Sequence, residues 1–400
     1  MSKKERSMKL AEFVTAACGA LMALLSLGAA QAQTQGVSDT EIVLGTDLDL
    51  SGPINFWGLP AKNGMELAVD EINAAGGIHG RKLRLVVEDM GYDPKKAVLV
   101  TEKLLTRDRV FAIVGAMGTV TTAATMPLVL KRGVPHLFPI SPAEMFAVPF
   151  NRLKFAYFVP YYDDVRTSLG YLIATKRLSR VGVLYQDDDF GAEILRAVQD
   201  QLKETGLEPV SAQSFKRGAT DFSSQIARLK ADGAELVVMG TVVRETVGAM
   251  TAARNLGWNP GFLVSQAGYS LAVAALGKDV VEGLYAGVMT PLPYADTASP
   301  QVLDWMKRYK VKFNQEPTIE AVVGYLVLTT AAMGITNAGR ELTVDSLVAG
   351  LERIRDFRNI FGTAPISFSS TDHLASRRTS LAQIQKGRWV MQAESMHYKD

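Results

Sequence analysis

The feature that most constrains the fold of this 400-residue chain is a series of strands and helices that occurs twice. In each series an apolar, β-branched run is followed by a turn, a helix that ends at glycine, and a second strand. The first series opens with strands at 42–50 and 82–88, and the second with strands at 181–185 and 208–215. Strands that alternate with helices at this spacing predict βαβ units and parallel sheets. The sequence therefore predicts an α/β protein with two similar lobes.

In an open parallel sheet, ligands bind at the carboxyl ends of the strands, in the loops that follow. This rule selects candidate binding loops at residues 51–58, 115–122, 141–143, 187–191, 240–245 and 266–269. Trp57 and Tyr269 lie in these loops and could supply the apolar wall that ligand pockets usually have, or could simply pack within a lobe. Ser51 and Met117 are further candidates from the first two loops.

The N-terminal segment has the pattern of a secretory signal peptide. Four basic residues precede residue 10, an apolar run covers 13–30, and Ala-Gln-Ala at 30–32 stands before Gln33. We predict cleavage after Ala32 and a periplasmic protein of 368 residues (400 − 32), with an uncleaved membrane anchor as the alternative. The only cysteine, Cys18, falls inside this segment. The exported chain would then contain no disulfide, no cysteine metal site and no thiol nucleophile.

Charge argues against several classes of partner. The chain has 43 basic and 41 acidic residues, and the predicted signal holds four and two of them, so 39 of each remain (43 − 4 and 41 − 2). Because no block rich in Lys and Arg stands out, nucleic acid and anionic membrane surfaces are poor candidates.

Catalytic and metal-binding motifs are also missing from the sequence. The four histidines have no partners at metal-ligand spacing, and there is no H-E-x-x-H, G-x-S-x-G, P-loop or G-x-G-x-x-G motif. We therefore expect no catalytic residue, no metal and no cofactor. An exported hydrolase is the less favoured alternative.

Four segments are specific enough to indicate a family: SGPINFWG at 51–58, GMELAVDEINAAGGIHGRKL at 64–83, Asp93-Pro94, and VGVLYQDDDFG at 181–191. On these segments the chain resembles the leucine/isoleucine/valine-binding family of ABC-importer substrate-binding proteins, which has the type 1 periplasmic binding fold. The resemblance extends from about Glu41 to about Val390.

The resemblance implies two Rossmann-like lobes, joined by three crossover strands, that close over a ligand like a Venus flytrap. The crossovers are expected near 155–160, 287–291 and 364–368. Lobe 1 would then contain residues 33–158 and 288–365, and lobe 2 residues 159–287 and 366–400.

The resemblance also assigns binding residues in lobe 1. In the family, hydroxyls and the N–H groups at helix N-termini hold the ligand carboxylate. Thr119 matches the family's serine, and Ser141 and Ala143 match the next pair, where Ala143 departs from the pattern because it lacks a hydroxyl. The alternative is that Thr119 and its neighbours Thr121 and Thr122 only cap a helix.

In lobe 2 three positions depart from the family's amino-acid binders. Phe190 stands where tyrosine is usual, Val242 falls near another aromatic position, and Gln266 replaces the Glu that neutralises the ligand's ammonium. A buried ammonium without a carboxylate is costly. The ligand is therefore expected to keep a carboxylate and to lack a normal α-ammonium, although an amide-like compound or an amino acid held differently remains open. Arg244 could contact a second polar group or lie in solvent, and the aspartates at 187–189 could meet an amine or cap a helix.

The function implied by the resemblance is binding without chemistry. The protein would be a monomeric receptor that captures a branched-chain amino acid or related small carboxylate and delivers it to an ABC permease in the inner membrane. The ligand would dock on lobe 1, and a hinge motion of lobe 2 would enclose it. Because one fold serves several functions, a ligand-sensing protein for amides or aromatic acids is the alternative.

Overall fold

The structure is a computed structural model that describes residues 34–397, so the predicted signal peptide and its cleavage site lie outside the described residues. Within this range the strands form two sheets. The first sheet contains β1 (Glu41–Leu48), β2 (Lys82–Asp89), β3 (Ala112–Val114), β4 (His136–Leu137) and β5 (Lys154–Phe155). The second contains β6 (Val181–Gln186), β7 (Ser211–Phe215), β8 (Leu236–Gly240), β9 (Gly261–Val264), β10 (Tyr285–Val288), β11 (Arg378–Gln385) and β12 (Arg388–His397).

Helices connect the strands and cover the sheets. Those of the first half are α1 (Asn55–Ala74), α2 (Pro94–Thr106), α3 (Thr119–Lys131), α4 (Tyr161–Lys176), α5 (Asp189–Lys203) and α6 (Ser223–Ala231). Those of the second half are α7 (Val243–Asn255), α8 (Leu271–Gly277), α9 (Pro300–Phe313), α10 (Ile319–Ala338) and α11 (Val344–Glu352). Short 3₁₀ turns cover Glu144–Phe146, Gln266–Gly268 and Lys278–Val281.

Both sheets are mainly parallel. The first has the order β2-β1-β3-β4-β5, with every pair parallel. The second has the order β7-β6-β8-β9-β10-β11-β12, in which only the last two pairings are antiparallel. The predicted fold class, an α/β protein with two Rossmann-like lobes, is confirmed.

Local sequence explains where the main elements begin. All of β8 is buried, as expected for a parallel strand covered by helices on both faces. Asp188 caps α5, because its carboxylate accepts hydrogen bonds from the N–H groups of Phe190 and Gly191. Asp93 caps α2 in the same way, with Pro94 at the first helical position.

The core of lobe 1 depends on a close contact between α1 and α10. A Cβ atom added to Gly64 would lie 1.9 Å from the carbonyl oxygen of Ala321, and one added to Gly324 would lie 2.0 Å from that of Ala61. Only glycine allows this approach. Helix α10 is long and apolar enough to cross a membrane, but 78% of its most apolar 18-residue stretch is buried inside the protein.

The chain passes between the sheets three times. The first passage follows β5 and leads into α4, and the second follows β10 and leads into α9. Both agree with the expected positions of the crossovers. The third passage lies between α11 and β11.

The third passage comes later than the sequence indicates. Phe368 stacks on Phe138 with the ring centroids 5.7 Å apart and meets Phe155 edge-on at 5.4 Å. Further along, Leu374 forms a parallel bridge with Ala156. Residues 366–374, assigned from the sequence to lobe 2, thus pack against lobe 1, because this aromatic cluster and the bridge hold them there. We propose that lobe 1 extends to the residues just before β11.

Candidate functional site

A cavity lies between the two lobes, at the carboxyl ends of their strands. Its empty volume is about 510 Å³, including the part that is open to solvent. Both lobes contribute to its wall. The lining residues are Ile54, Trp57, Tyr92, Met117, Gly118, Thr119, Ile140, Pro142, Phe158, Tyr161, Phe190, Val242, Ala267 and Met289.

One end of the cavity is formed by the N-terminus of α3. The helix begins at Thr119, and its N-cap Gly118 has φ of 83° and offers no side chain to the first-turn N–H groups. A Cβ at Gly118 would lie 2.6 Å from Cε2 of Tyr92, so glycine is required here. Uncapped N–H groups and the helix dipole make this end suited to an anion.

Three hydroxyls meet at the same end. The Oγ1 of Thr119 lies 2.8 Å from the Oγ of Ser141, and the hydroxyl of Tyr161 lies close to Ser141. Burial raises the pKa of Tyr161 well above its usual value, so its hydroxyl stays protonated. The three groups form a short row of donors and acceptors beside the helix N-terminus.

The rest of the wall is apolar and largely aromatic. The rings of Tyr161 and Phe190 meet edge-on with centroids 5.0 Å apart. The guanidinium of Arg217 lies over the ring of Tyr92, 5.3 Å from its centroid, and joins lobe 2 to lobe 1. Such a wall favours the flat or branched apolar part of a ligand.

The lobes also contact each other directly above the cavity. The indole N–H of Trp57, in lobe 1, donates to the carbonyl oxygen of Ala267, in lobe 2, at 3.3 Å. The structure therefore shows the lobes together over the cavity.

Gln266 is buried beside the cavity, where its nitrogens bond within the protein while its Oε1 has no hydrogen-bond partner among the described residues. Its Nε2 donates to the carbonyl oxygen of Val159 at 2.7 Å, and its backbone N–H donates to Asp164 at 3.1 Å. Asp164 also accepts from the Thr379 hydroxyl at 2.6 Å, and burial raises the pKa of its carboxyl to about 6. This amide and carboxyl connect the loop after β9 to the first crossover.

Five of the ten site residues predicted from the sequence line the cavity: Trp57, Met117, Thr119, Phe190 and Val242. Ser141 and Ala143 flank the lining residue Pro142, and Gln266 precedes the lining residue Ala267. Ser51 and Tyr269 lie elsewhere.

The contacts of these last residues explain their positions. The hydroxyl of Ser51 donates to Asp89 at 2.6 Å near the surface. The hydroxyl of Tyr269 accepts from the N–H of Leu292 at 3.1 Å, and its ring packs against Trp389. Arg244 is exposed at the start of α7.

Nine lining residues were not among the ten predicted site residues, and five of these also lie outside the candidate loops: Tyr92, Ile140, Phe158, Tyr161 and Met289. Tyr92 follows β2, so the rule of strand ends could have found it. Phe158 falls within the crossover expected at 155–160. Nothing in the sequence indicated that Tyr161 lines the cavity, because it begins a helix on the far side of that crossover.

Comparison with known proteins identifies the family. Residues 41–388 match the model of the family described as periplasmic binding protein. The chain belongs to the periplasmic binding protein family. It is 28% identical over 306 residues to the Leu/Ile/Val-binding protein homolog 7 of Brucella abortus (strain 2308), an alignment that covers 73% of this chain and 76% of that protein.

Solved structures share the fold of this periplasmic binding protein. A branched-chain amino acid ABC transporter protein from Thermus thermophilus with bound valine has a TM-score of 0.82 at 19% identity, covering 91% of this chain and 98% of that one. A fatty acid ABC transporter substrate-binding protein from Thermomonospora curvata has a TM-score of 0.83 at 23% identity, covering 92% and 95%. The resemblance inferred from the sequence is confirmed.

Proposed function

We propose that this periplasmic binding protein is the extracytoplasmic receptor of an ABC importer, which captures a branched-chain amino acid or related small carboxylate and delivers it to a permease in the inner membrane. One observation carries the proposal. The cavity between the lobes offers hydroxyls and a helix N-terminus at one end and an apolar wall elsewhere. That combination suits a small molecule with a carboxylate and an apolar part.

The mechanism is capture by closure, without a chemical step. The ligand carboxylate binds at Thr119 in lobe 1 while the lobes are apart, and Phe190 and Val242 of lobe 2 then cover the apolar part. Closure is favoured only by the ligand's higher affinity for the closed form. The closed pair of lobes forms the surface that the permease recognises.

Ligand binding can be tested on the purified protein, produced from the full chain and then unfolded and refolded to remove any molecule carried over from the cell. We expect thermal stabilisation by members of a panel of branched-chain amino acids and small carboxylates. At 100 times the dissociation constant the stabilisation is about 2.7 kcal/mol, which a thermal shift resolves. The recovered ligand should be chemically unchanged by mass spectrometry. No stabilisation by any compound would contradict the proposal.

Export and transport need a test in cells. Mass spectrometry of the protein from the periplasmic fraction should show an N-terminus at Gln33, as the predicted signal peptide requires. Deletion of the gene should abolish uptake of the ligand found in the binding assay. A protein retained in the cytoplasm, or uptake that is unaffected by deletion, would rule out the importer role.

A further inference from the structure

Among its lining residues in the described chain, the cavity wall contains no Asp, Glu, His, Lys or Arg. Its polar groups are the hydroxyls of Thr119, Tyr92 and Tyr161 and the backbone of the first turn of α3. An amino acid would bring an ammonium as well as a carboxylate into this space. An ammonium buried without an opposite charge is strongly disfavoured.

Three acids behind the wall are bonded to the protein. Asp164 accepts from Gln266 and Thr379, Asp188 accepts from Gln186 and from the start of α5, and Glu193 accepts from the N–H groups of Glu144 and Tyr162. Their oxygens are thus engaged with protein donors.

Two other buried acids have carboxylate oxygens without a hydrogen-bond partner in the described chain: Asp47, whose backbone carbonyl accepts from the N–H of the lining residue Met117, and Glu245. Glu245 is buried in the first turn of α7, and its Oε2 has no hydrogen-bond partner in the part of the chain that the structure describes. It does not line the cavity, but its charge acts on Tyr92, which does. Burial raises the pKa of its carboxyl, which favours the neutral form.

The hydrogen-bond donors at the start of α3 match a carboxylate. Three hydroxyls lie together, those of Thr119, Ser141 and Tyr161, and the hydrogen bond between Thr119 and Ser141 uses one of their three hydrogens, so donors remain for a ligand. The uncapped N–H groups at the start of α3 add further donors. Each of these groups can donate to a carboxylate oxygen, and none carries a positive charge that would demand a second anion.

We infer that the ligand is an apolar monocarboxylate with no α-ammonium, an aromatic or branched aliphatic acid whose carboxylate is held by Thr119, Ser141 and Tyr161 at the start of α3. This inference rests on the proposed function. It selects the small carboxylates among the ligands proposed there and excludes the amino acids.

Matched pairs of compounds test the inference by calorimetry on the stripped protein. The pairs are 4-methylpentanoate with leucine and 3-phenylpropanoate with phenylalanine, which differ only by the α-ammonium. At least one acid should bind about 100-fold more tightly than its amino acid, given the cost of an unpaired charge. Equal or tighter binding of the amino acids would overturn the inference and leave the receptor function intact. Binding of no compound would overturn both.

A variant separates the carboxylate contact from general packing. Thr119→Val keeps the shape of the side chain and removes its hydroxyl, and we expect about a tenfold loss of affinity for the acid. Thr125→Val is the matched control, because Thr125 is buried in the same helix and its hydroxyl contacts only the carbonyl of Thr122. Equal losses in the two variants would overturn the assigned contact.

A second variant decides the role of Glu245. Glu245→Gln is isosteric and should leave the affinity for the acids within about twofold. If instead leucine or phenylalanine binds the unchanged protein tightly and loses more than about tenfold in this variant, Glu245 is the counter-ion of an ammonium and the inference is wrong.

Discussion

Gln266 shows how far the site could be predicted from single residues. Its place after β9 follows from the rule of strand ends, which also located Trp57 and Thr119 at the cavity. Its partners could not be predicted, because Val159 and Asp164 are 107 and 102 residues away in sequence and are brought close only by the first crossover. For the same reason Tyr161 was not predicted as a lining residue.

Gln266→Glu tests whether this amide is structural. The substitution replaces the donor to Val159 with a second buried acid near Asp164, and it should destabilise the protein by about 2 kcal/mol at neutral pH. Urea unfolding measures the loss, which should shrink near pH 5 as the new acid takes up a proton. The control Gln266→Met removes the donor without adding charge and should show no such pH dependence. A stable variant that gains leucine binding would contradict this role.

At the scale of elements, the alternating units were easier to predict than the ends of the chain. Strands β1, β2, β6 and β7 lie within or close to the ranges expected from the repeat, whereas the start of α1 at Asn55 is harder to predict because Pro60 lies inside it. Pro60 is the sixth residue of α1, beyond the first turn where proline is tolerated, so the proline alone would have favoured a later start than the structure has. The hairpin of β11 and β12 was not predicted, because its antiparallel pairing does not follow the βαβ pattern of the repeat.

The close crossing of α1 and α10 predicts that one added methyl group will destabilise the protein. Gly64→Ala would place a methyl group 1.9 Å from the Ala321 carbonyl oxygen, so the two helices must separate, at a cost of about 3 kcal/mol. The shift in the urea midpoint measures this cost. In the control Gly170→Ala, on α4, the new Cβ meets only the flexible amide of Gln201 at 3.2 Å, and stability should change by less than about 1 kcal/mol. Equal effects would mean that close packing of α1 and α10 is not the cause.

At the scale of the whole molecule, the lobes are held together by contacts placed around the cavity. Trp57 bonds to Ala267 at one side, and Glu193 and Arg196 of α5 both contact Glu144 of lobe 1. The two-lobe arrangement was predictable from the repeat and the resemblance. The position of the third crossover was not, because it depends on how Phe368 packs in three dimensions.

Glu193 makes the stability of the closed molecule depend on pH. Its carboxylate accepts from the N–H groups of Glu144 and Tyr162, and burial raises its pKa to about 7. Because the pKa is higher in the folded protein than in the unfolded chain, the stabilising contribution is complete at low pH and is lost as the pH rises through about 7.

We therefore expect Glu193→Gln to flatten the pH dependence of unfolding. Between about pH 5 and 8 the unchanged protein should lose about 2 kcal/mol more stability than the variant, by urea denaturation. Asp47 and Asp164 are also buried with raised pKa values, but they contribute equally to the pH dependence of both proteins. The difference in stability between the two proteins therefore reports on Glu193 alone. Parallel curves for the two proteins would show that Glu193 does not titrate in this range.

The bond from Trp57 to Ala267 has a kinetic consequence. Since both lobes wall the cavity, a captured molecule departs only when they part, and it cannot leave faster than that event occurs. The lifetime of the complex then depends on how often the liganded lobes open, and a cargo that stabilises the closed form more strongly stays longer. For such a cargo, the speed of import would depend on how readily a membrane partner opens the lobes.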